Sequence, residues 1–283
     1  MKSKVLALGA AALCGLAVGC GDDDDGGEAT AAPAPPVISL VTKEQGDRVQ
    51  PTLSGSPRAG LNEVSYRNEG KAQHEAQLLR VDGKRSEGQV LDGLRAASAG
   101  KFVPDWLHAA GGASPLNPGE AGRAEGVLRP GTYYAADLEN DSFEVGGLVK
   151  FEVPPRPAGS GGLPAADGKV TAYDYGFRAS GLRPGKNIIR FENSGREIHH
   201  VIAVRMQPGK NLADVRELVK TEKGEPPIDF RQMVGTSAID GGSSENAELE
   251  LKRGKYALLC FVADRDGGPP HVVQGMIGEA EVR

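Results

Sequence analysis

Three kinds of donor stand in a suggestive order in the last third of the chain. The segment Gly195-Arg-Glu-Ile-His199-His200 carries two imidazoles, the strand-like run Tyr256-Ala-Leu-Leu-Cys260 ends on a thiol, and His271 and Met276 follow. Two imidazoles and a thiolate in a trigonal set, with a weak axial thioether, suit copper. Thiolate and thioether are soft and favour Cu(I), whereas imidazole accepts both copper states. A site that tolerates both states passes an electron with little rearrangement. Singly, each residue also has a plainer reading. Cys260 lies in the apolar run Leu258-Leu259-Cys260-Phe261-Val262 and suits a buried small hydrophobe. Met276 suits a core position and His271 a surface loop. His199 and His200 are neighbours on an extended segment, so alternation sends them to opposite faces and only one can join the site. The combination in one order is what points to a metal.

Those donors need a rigid frame, and the composition says which kind. Gly (40) and Pro (19) make up about a fifth of the 283 residues, against roughly 12% in an average chain. Both oppose long helices, so an all-β frame of short strands and tight turns is expected. The net charge of -5 gives no basic face for nucleic acid. Two blocks recur in the same order: Arg58-Ala-Gly-Leu-Asn-Glu-Val-Ser-Tyr-Arg-Asn68 against Arg183-Pro-Gly-Lys-Asn-Ile-Ile-Arg-Phe-Glu-Asn193, and Leu128-Arg-Pro-Gly-Thr-Tyr133 against Leu251-Lys-Arg-Gly-Lys-Tyr256. A duplication follows, with one unit at 38–153, a Pro/Gly-rich linker at 154–164 and a second unit at 165–283. Val64 and Tyr66, like Ile189 and Phe191, alternate with polar residues as strands do. Residues 132–138, 256–262 and 272–282 read as further strands. One short helix is expected in the second unit over 212–220, with Leu212, Val215, Leu218 and Val219 on one face and Asn211 as its cap.

The chain begins with Lys2, Lys4 and an apolar run to Val18, a secretory signal over 1–19. It ends in Leu16-Ala17-Val18-Gly19-Cys20, which resembles a bacterial lipobox with Ala17 where Leu is usual. Cleavage there leaves Cys20 as the lipid acceptor. Residues 20–37, with Asp22 to Asp25 and then Gly, Ala and Pro, read as a disordered acidic tether. Localisation is then extracytoplasmic, on a bacterial membrane through the N-terminal lipid. Cys14 leaves with the signal, so Cys260 remains as a lone thiol without a disulfide partner.

The segment from Cys260 through His271-Val-Val-Gln-Gly-Met276-Ile-Gly-Glu-Ala-Glu-Val282 resembles the C-terminal copper loop of the cupredoxins, plastocyanin in particular. The resemblance covers most of 168–283. It implies two tandem cupredoxin-like Greek-key β-sandwiches, of which only the second holds type 1 copper, one ion per chain. Carried over by position, His199, Cys260 and His271 are the strong ligands and Met276 the axial one. Ten residues separate Cys260 from His271, where plastocyanin has two. Copper nitrite reductases have a longer loop there, but they and many multicopper oxidases place a His just before the Cys to reach a second copper centre. Here that residue is Leu259. In the first unit His74 matches His199, while Asp137, Ser142 and Gly147 stand at the positions of Cys260, His271 and Met276. His74 and His108 are then structural, and Trp106 a core residue.

The function implied is one-electron transfer by a lipid-anchored copper protein rather than catalysis, with a redox partner docking near His271 on a rim of Pro269, Pro270, Val272 and Val273. The alternatives are a non-redox binding or scaffold lipoprotein, or a copper carrier or storage protein.

Overall fold

Alternation builds the strands, and the same order of eight strands and one α-helix is built twice, with a short 3-10 helix added in the first half. In the computed structural model, which describes residues 34–155 and 161–283, the first half runs β1 (Val37–Gln45), β2 (Arg48–Gly55), β3 (Gly60–Asn68), β4 (His74–Val81), α1 (Glu87–Ser98), β5 (Leu107–Leu116), β6 (Ala121–Leu128), β7 (Gly131–Ala136), a short 3-10 helix (Glu139–Val145) and β8 (Leu148–Val153). The second half runs β9 (Gly168–Tyr173), β10 (Gly176–Ser180), β11 (Gly185–Asn193), β12 (Ile202–Met206), α2 (Leu212–Thr221), β13 (Ile228–Gly235), β14 (Ser244–Leu251), β15 (Gly254–Leu259) and β16 (Ile277–Val282). The signal segment, Cys20 and most of the tether lie outside the described residues.

In each half the first strand pairs parallel with the third, and the remaining pairs are antiparallel. The strand orders β2-β1-β3-β6 with β5-β4-β7-β8, and β10-β9-β11-β14 with β13-β12-β15-β16, give two cupredoxin-like sandwiches. The expected helix is α2, with Asn211 closing a capping box with Asp214. The first half carries a counterpart, α1, capped by Ser86 and Gln89. Two glycines, Gly88 and Gly93, hide it from a propensity reading. A Cβ at Gly93 would stand 3.2 Å from the Trp106 ring, tighter than an ordinary contact. Trp106 itself is only partly buried, beside that helix's core. The expected strand over 272–282 starts only at Ile277, because Met276 N–H bonds back to the His271 carbonyl and closes a turn.

The recurring asparagines have a physical cause. Asn62 and Asn187 each accept the N–H and hold the carbonyl of an arginine four residues earlier, Arg58 and Arg183, which shapes the turn into β3 and β11. Asn68 and Asn193 accept from Gly70 and Gly195 and donate to the carbonyls of Ala72 and Glu197. These clamps set the loops that deliver His74 and His199. Tyr133 and Tyr256 bond their hydroxyls to Arg129 and Lys252 in the same way.

Residues Pro35–Arg283 form one compact unit. The halves are fused because β6 pairs with β14 antiparallel, Ala124 opposite Ala247, which makes one eight-stranded sheet. Ala124 and Ala247 are equivalent by the repeat, so the seam is locally self-complementary. It continues through Gln77, which accepts from Ala238 N–H at 2.7 Å and donates to its carbonyl at 3.0 Å. Glu245 lies buried in this seam, where its Oε2 accepts from Gly112 N–H at 3.0 Å and its Oε1 has no partner among the described residues. Burial pushes its carboxyl up to about 8. The folded state therefore keeps a proton that the unfolded chain releases near its ordinary 4.5. Stability is fully present below that value and is lost as pH rises towards 8. Glu245→Gln keeps the acceptor and cannot ionise. We expect urea unfolding to find the variant more stable than wild type by a few kcal/mol at pH 8, with the gap closing by pH 5. An equal gap at both pH values would refute this.

Candidate metal centre

Cys260 sits one residue beyond β15, and His199 just before β12. Those two strands pair Ile202 with Leu259, so their ends bring thiol and imidazole to one end of the second sandwich. The chain beyond Cys260 leaves the sheet and returns antiparallel: His271 N–H bonds to Val262 O at 2.8 Å and Val272 N–H to Cys260 O at 2.7 Å. His199 is braced by backbone bonds in both directions with Ile239. His199, Cys260, His271 and Met276 are all fully buried. His200 faces the other way, its Nε2 accepting from Phe261 N–H at 2.9 Å. The alternation therefore selects His199. Met276 joins Cys260 and Ile239 in the same core cluster. Of the expected apolar rim, Pro269, Pro270 and Val273 are exposed, while Val272 is buried and does not belong to it.

The donor atoms converge. His199 Nδ1 lies 3.1 Å from His271 Nδ1, and Cys260 Sγ lies 3.8 and 3.5 Å from these two nitrogens. Each imidazole is held at its far nitrogen by a carboxylate. His199 Nε2 is 2.8 Å from Asp174, and His271 Nε2 is 3.0 Å from Asp264. An Nε2–H that donates to a carboxylate leaves Nδ1 with a free lone pair. Two such lone pairs then point at one another beside a thiol, an arrangement that a cation relieves. Metal–nitrogen and metal–sulfur lengths of about 2.0 and 2.3 Å put the corners of a planar trigonal set about 3.5 Å apart for N to N and about 3.7 Å for N to S. The observed triangle is close to that. The trio fits a type 1 copper site.

Burial pulls both imidazoles below their usual range, against the opposing carboxylates, so they are neutral and ready to bind. It pushes the Cys260 thiol up to about 12. Loading the site therefore displaces the thiol proton, and affinity falls with falling pH.

No family model and no curated protein matches the chain. Solved structures to which it is similar include auracyanin from the photosynthetic bacterium Roseiflexus castenholzii, at 17% identity and a TM-score of 0.27, covering 41% of this chain and 94% of that one. A multicopper oxidase is similar at 15% identity and a TM-score of 0.25, covering 87% and 88%. Copper nitrite reductase from Nitrosomonas europaea is similar at 12% identity and a TM-score of 0.22, covering 87% and 94%.

The first half preserves the geometry without the metal donors. Gly147 N–H bonds to Ser142 O at 2.9 Å, as Met276 N–H does to His271 O at 2.8 Å. Ser142 and Gly147 thus stand where His271 and Met276 do. A Cβ on Gly147 would meet Ser142 O at 2.7 Å, which closes to a side chain the position that Met276 holds in the second half. Asp137, in the place of Cys260, lies 2.5 Å from His74 Nδ1, and Glu44 lies 2.9 Å from His74 Nε2. A carboxylate–imidazole–carboxylate bridge fills the space. His108 is also structural, strung between Asp82 and Asp240 at 2.8 Å each.

The structure also accounts for the long loop between Cys260 and His271: it reaches across to the first half. Val103 N–H bonds to Arg265 O at 2.7 Å, and Gly268 N–H to Gly100 O at 2.9 Å. Arg265 binds Asp240 at 2.7 Å and the Leu107 carbonyl at 3.3 Å, while its own N–H goes to Glu197 at 2.7 Å. Asp240 follows Ile239, the residue that braces His199. Both ligand loops are thereby tied to the first half. Asp174, Asp264 and Arg265 are invisible in the sequence as site residues, because single acidic and basic residues in loops carry no spacing signal.

Proposed function

We propose that this protein is a lipid-anchored, extracytoplasmic copper protein that passes single electrons. The observation that carries the reading is the buried triangle of His199 Nδ1, His271 Nδ1 and Cys260 Sγ. His199, Cys260, His271 and Met276 would hold the ion. When bound, copper supplies a one-electron couple between Cu(II) and Cu(I). The chain supplies a fully buried donor set, two imidazoles fixed in one tautomer, and ligand loops pinned to a second sandwich, so neither copper state demands new positions. Leu259, packed in the neighbouring core, stands where an oxidase or nitrite reductase of this resemblance has a bridging His, which supports a carrier rather than an enzyme. Exposed Pro269, Pro270 and Val273 offer an apolar rim for transient docking of a redox partner.

Titrating the mature chain with Cu(II) should raise an intense visible thiolate-to-copper band that saturates at one equivalent. A band that never forms removes the copper reading. Saturation at two equivalents would mean that the first half binds as well. A bound copper that cannot be reduced and reoxidised would leave a storage or scaffold role. Anchoring rests on the Leu16-to-Cys20 motif, and Cys20→Ser should leave unprocessed precursor. Normal cleavage and continued membrane attachment of that variant would sink the anchor.

A further inference from the structure

We propose that Asp174 and Asp264 set the balance between the two copper states by drawing on the Nε2 protons of His199 and His271, and that Tyr175 positions and moderates Asp264. This inference rests on the copper reading above. Asp174 and Tyr175 are adjacent in the chain, and between them they govern both imidazoles. Asp174 accepts directly from His199 Nε2, and also from the N–H groups of Arg196 at 2.8 Å and Glu197 at 3.3 Å. The Tyr175 hydroxyl donates to Asp264 Oδ1 at 2.7 Å, the same oxygen that accepts from His271 Nε2 at 3.0 Å. Gln274 donates to Asp264 Oδ2 at 3.3 Å. The Tyr175 ring also stands edge-on to His271, with centroids 5.0 Å apart.

A carboxylate that accepts the remote N–H of a ligating imidazole makes that imidazole a stronger donor. Stronger donation and a nearby negative charge favour Cu(II), the more highly charged state. The first half separates this role from plain scaffolding. There Glu44 accepts from His74 Nε2 and from the N–H groups of Lys71 and Ala72, so a carboxylate in the place of Asp174 belongs to the fold of both halves. The Tyr175–Asp264–His271 chain has no such counterpart, because Ser142 stands in place of His271. It accompanies only the half that has the metal donors.

The test is a redox titration of the copper-loaded mature chain, with the one electron per copper supplied by a chemical reductant. Asp174→Asn and Asp264→Asn keep an oxygen to accept the imidazole N–H and remove the charge. Each should retain the thiolate band and shift the preference towards Cu(I) at least tenfold, which is about 59 mV upward for a one-electron couple. Tyr175→Phe keeps the ring and frees Asp264 from its hydroxyl donor, so its shift should be downward. Potentials equal to wild type in all three would overturn the proposal, as would shifts in one common direction, which mark a merely loosened site. If the Asn variants do not fold, an unchanged or raised potential in Tyr175→Phe overturns it by itself. A wild-type chain that forms no thiolate band fails earlier and overturns the copper reading instead.

Discussion

Replacing Cys260 by Ser is expected to abolish the thiolate-to-copper band and to weaken Cu(I) binding by more than the roughly 10–100-fold that follows loss of an outer partner. The band requires sulfur bonded to the metal. A serine oxygen is hard and weakly acidic, and the soft Cu(I) state loses the donor that suits it. The variant should still fold. Cys260 is fully buried, and its Sγ lies 3.5 Å from His271 Nδ1, so a hydroxyl in its place has an acceptor close by. Competition for Cu(I) against a chelator, with circular dichroism as the folding control, measures both. Wild-type affinity in a folded Cys260→Ser chain would mean that the thiol is only a core residue.

Gly267→Ala is expected to disturb the site from a distance. Gly267 has a φ of +90°, and a Cβ there would stand 1.8 Å from Lys101 O and 2.8 Å from Gly100 O. Both obstacles are backbone atoms of the first half and cannot swing aside. The loop must lift, and the bonds from Val103 to Arg265 and from Gly268 to Gly100 are strained or lost. His271 hangs on the end of that loop, so copper affinity should fall roughly 10–100-fold, as for other supports of a ligand. Gly242→Ala is the matched control. Gly242 also has positive φ, +75°, but a Cβ there meets nothing within 4 Å. It should cost about 1–2 kcal/mol of stability and leave copper affinity unchanged. Equal losses of affinity in the two variants would show that the loop does not depend on its seat against the first half.

The chemistry of the centre is legible in the sequence. Cys260, His271 and Met276 in that order, after a His that follows a strand, state a soft and borderline donor set by residue type alone. The duplication is legible too, because Asn62 with Asn187 and Asn68 with Asn193 perform local jobs within a few residues of themselves, and local jobs leave local patterns. So is the absence of that donor set from the first half, since Asp137, Ser142 and Gly147 hold the same backbone positions as Cys260, His271 and Met276. The helix α1 is hidden because Gly93 answers to Trp106, a tertiary neighbour, rather than to helix propensity. The choice of His199 over His200 follows the resemblance, and the bond from Phe261 N–H to His200 shows which way the alternation runs. The long Cys260–His271 loop reads as a departure from pattern, and only the packed molecule shows that it is held by Gly100, Val103 and Leu107. Asp174, Asp264, Tyr175 and Arg265 belong with that group. Residue type and spacing record which donors exist and which strands they end. What fixes a donor's tautomer, bracing and surroundings is contact between segments far apart in the chain, and those contacts come into being only when the two sandwiches close on each other.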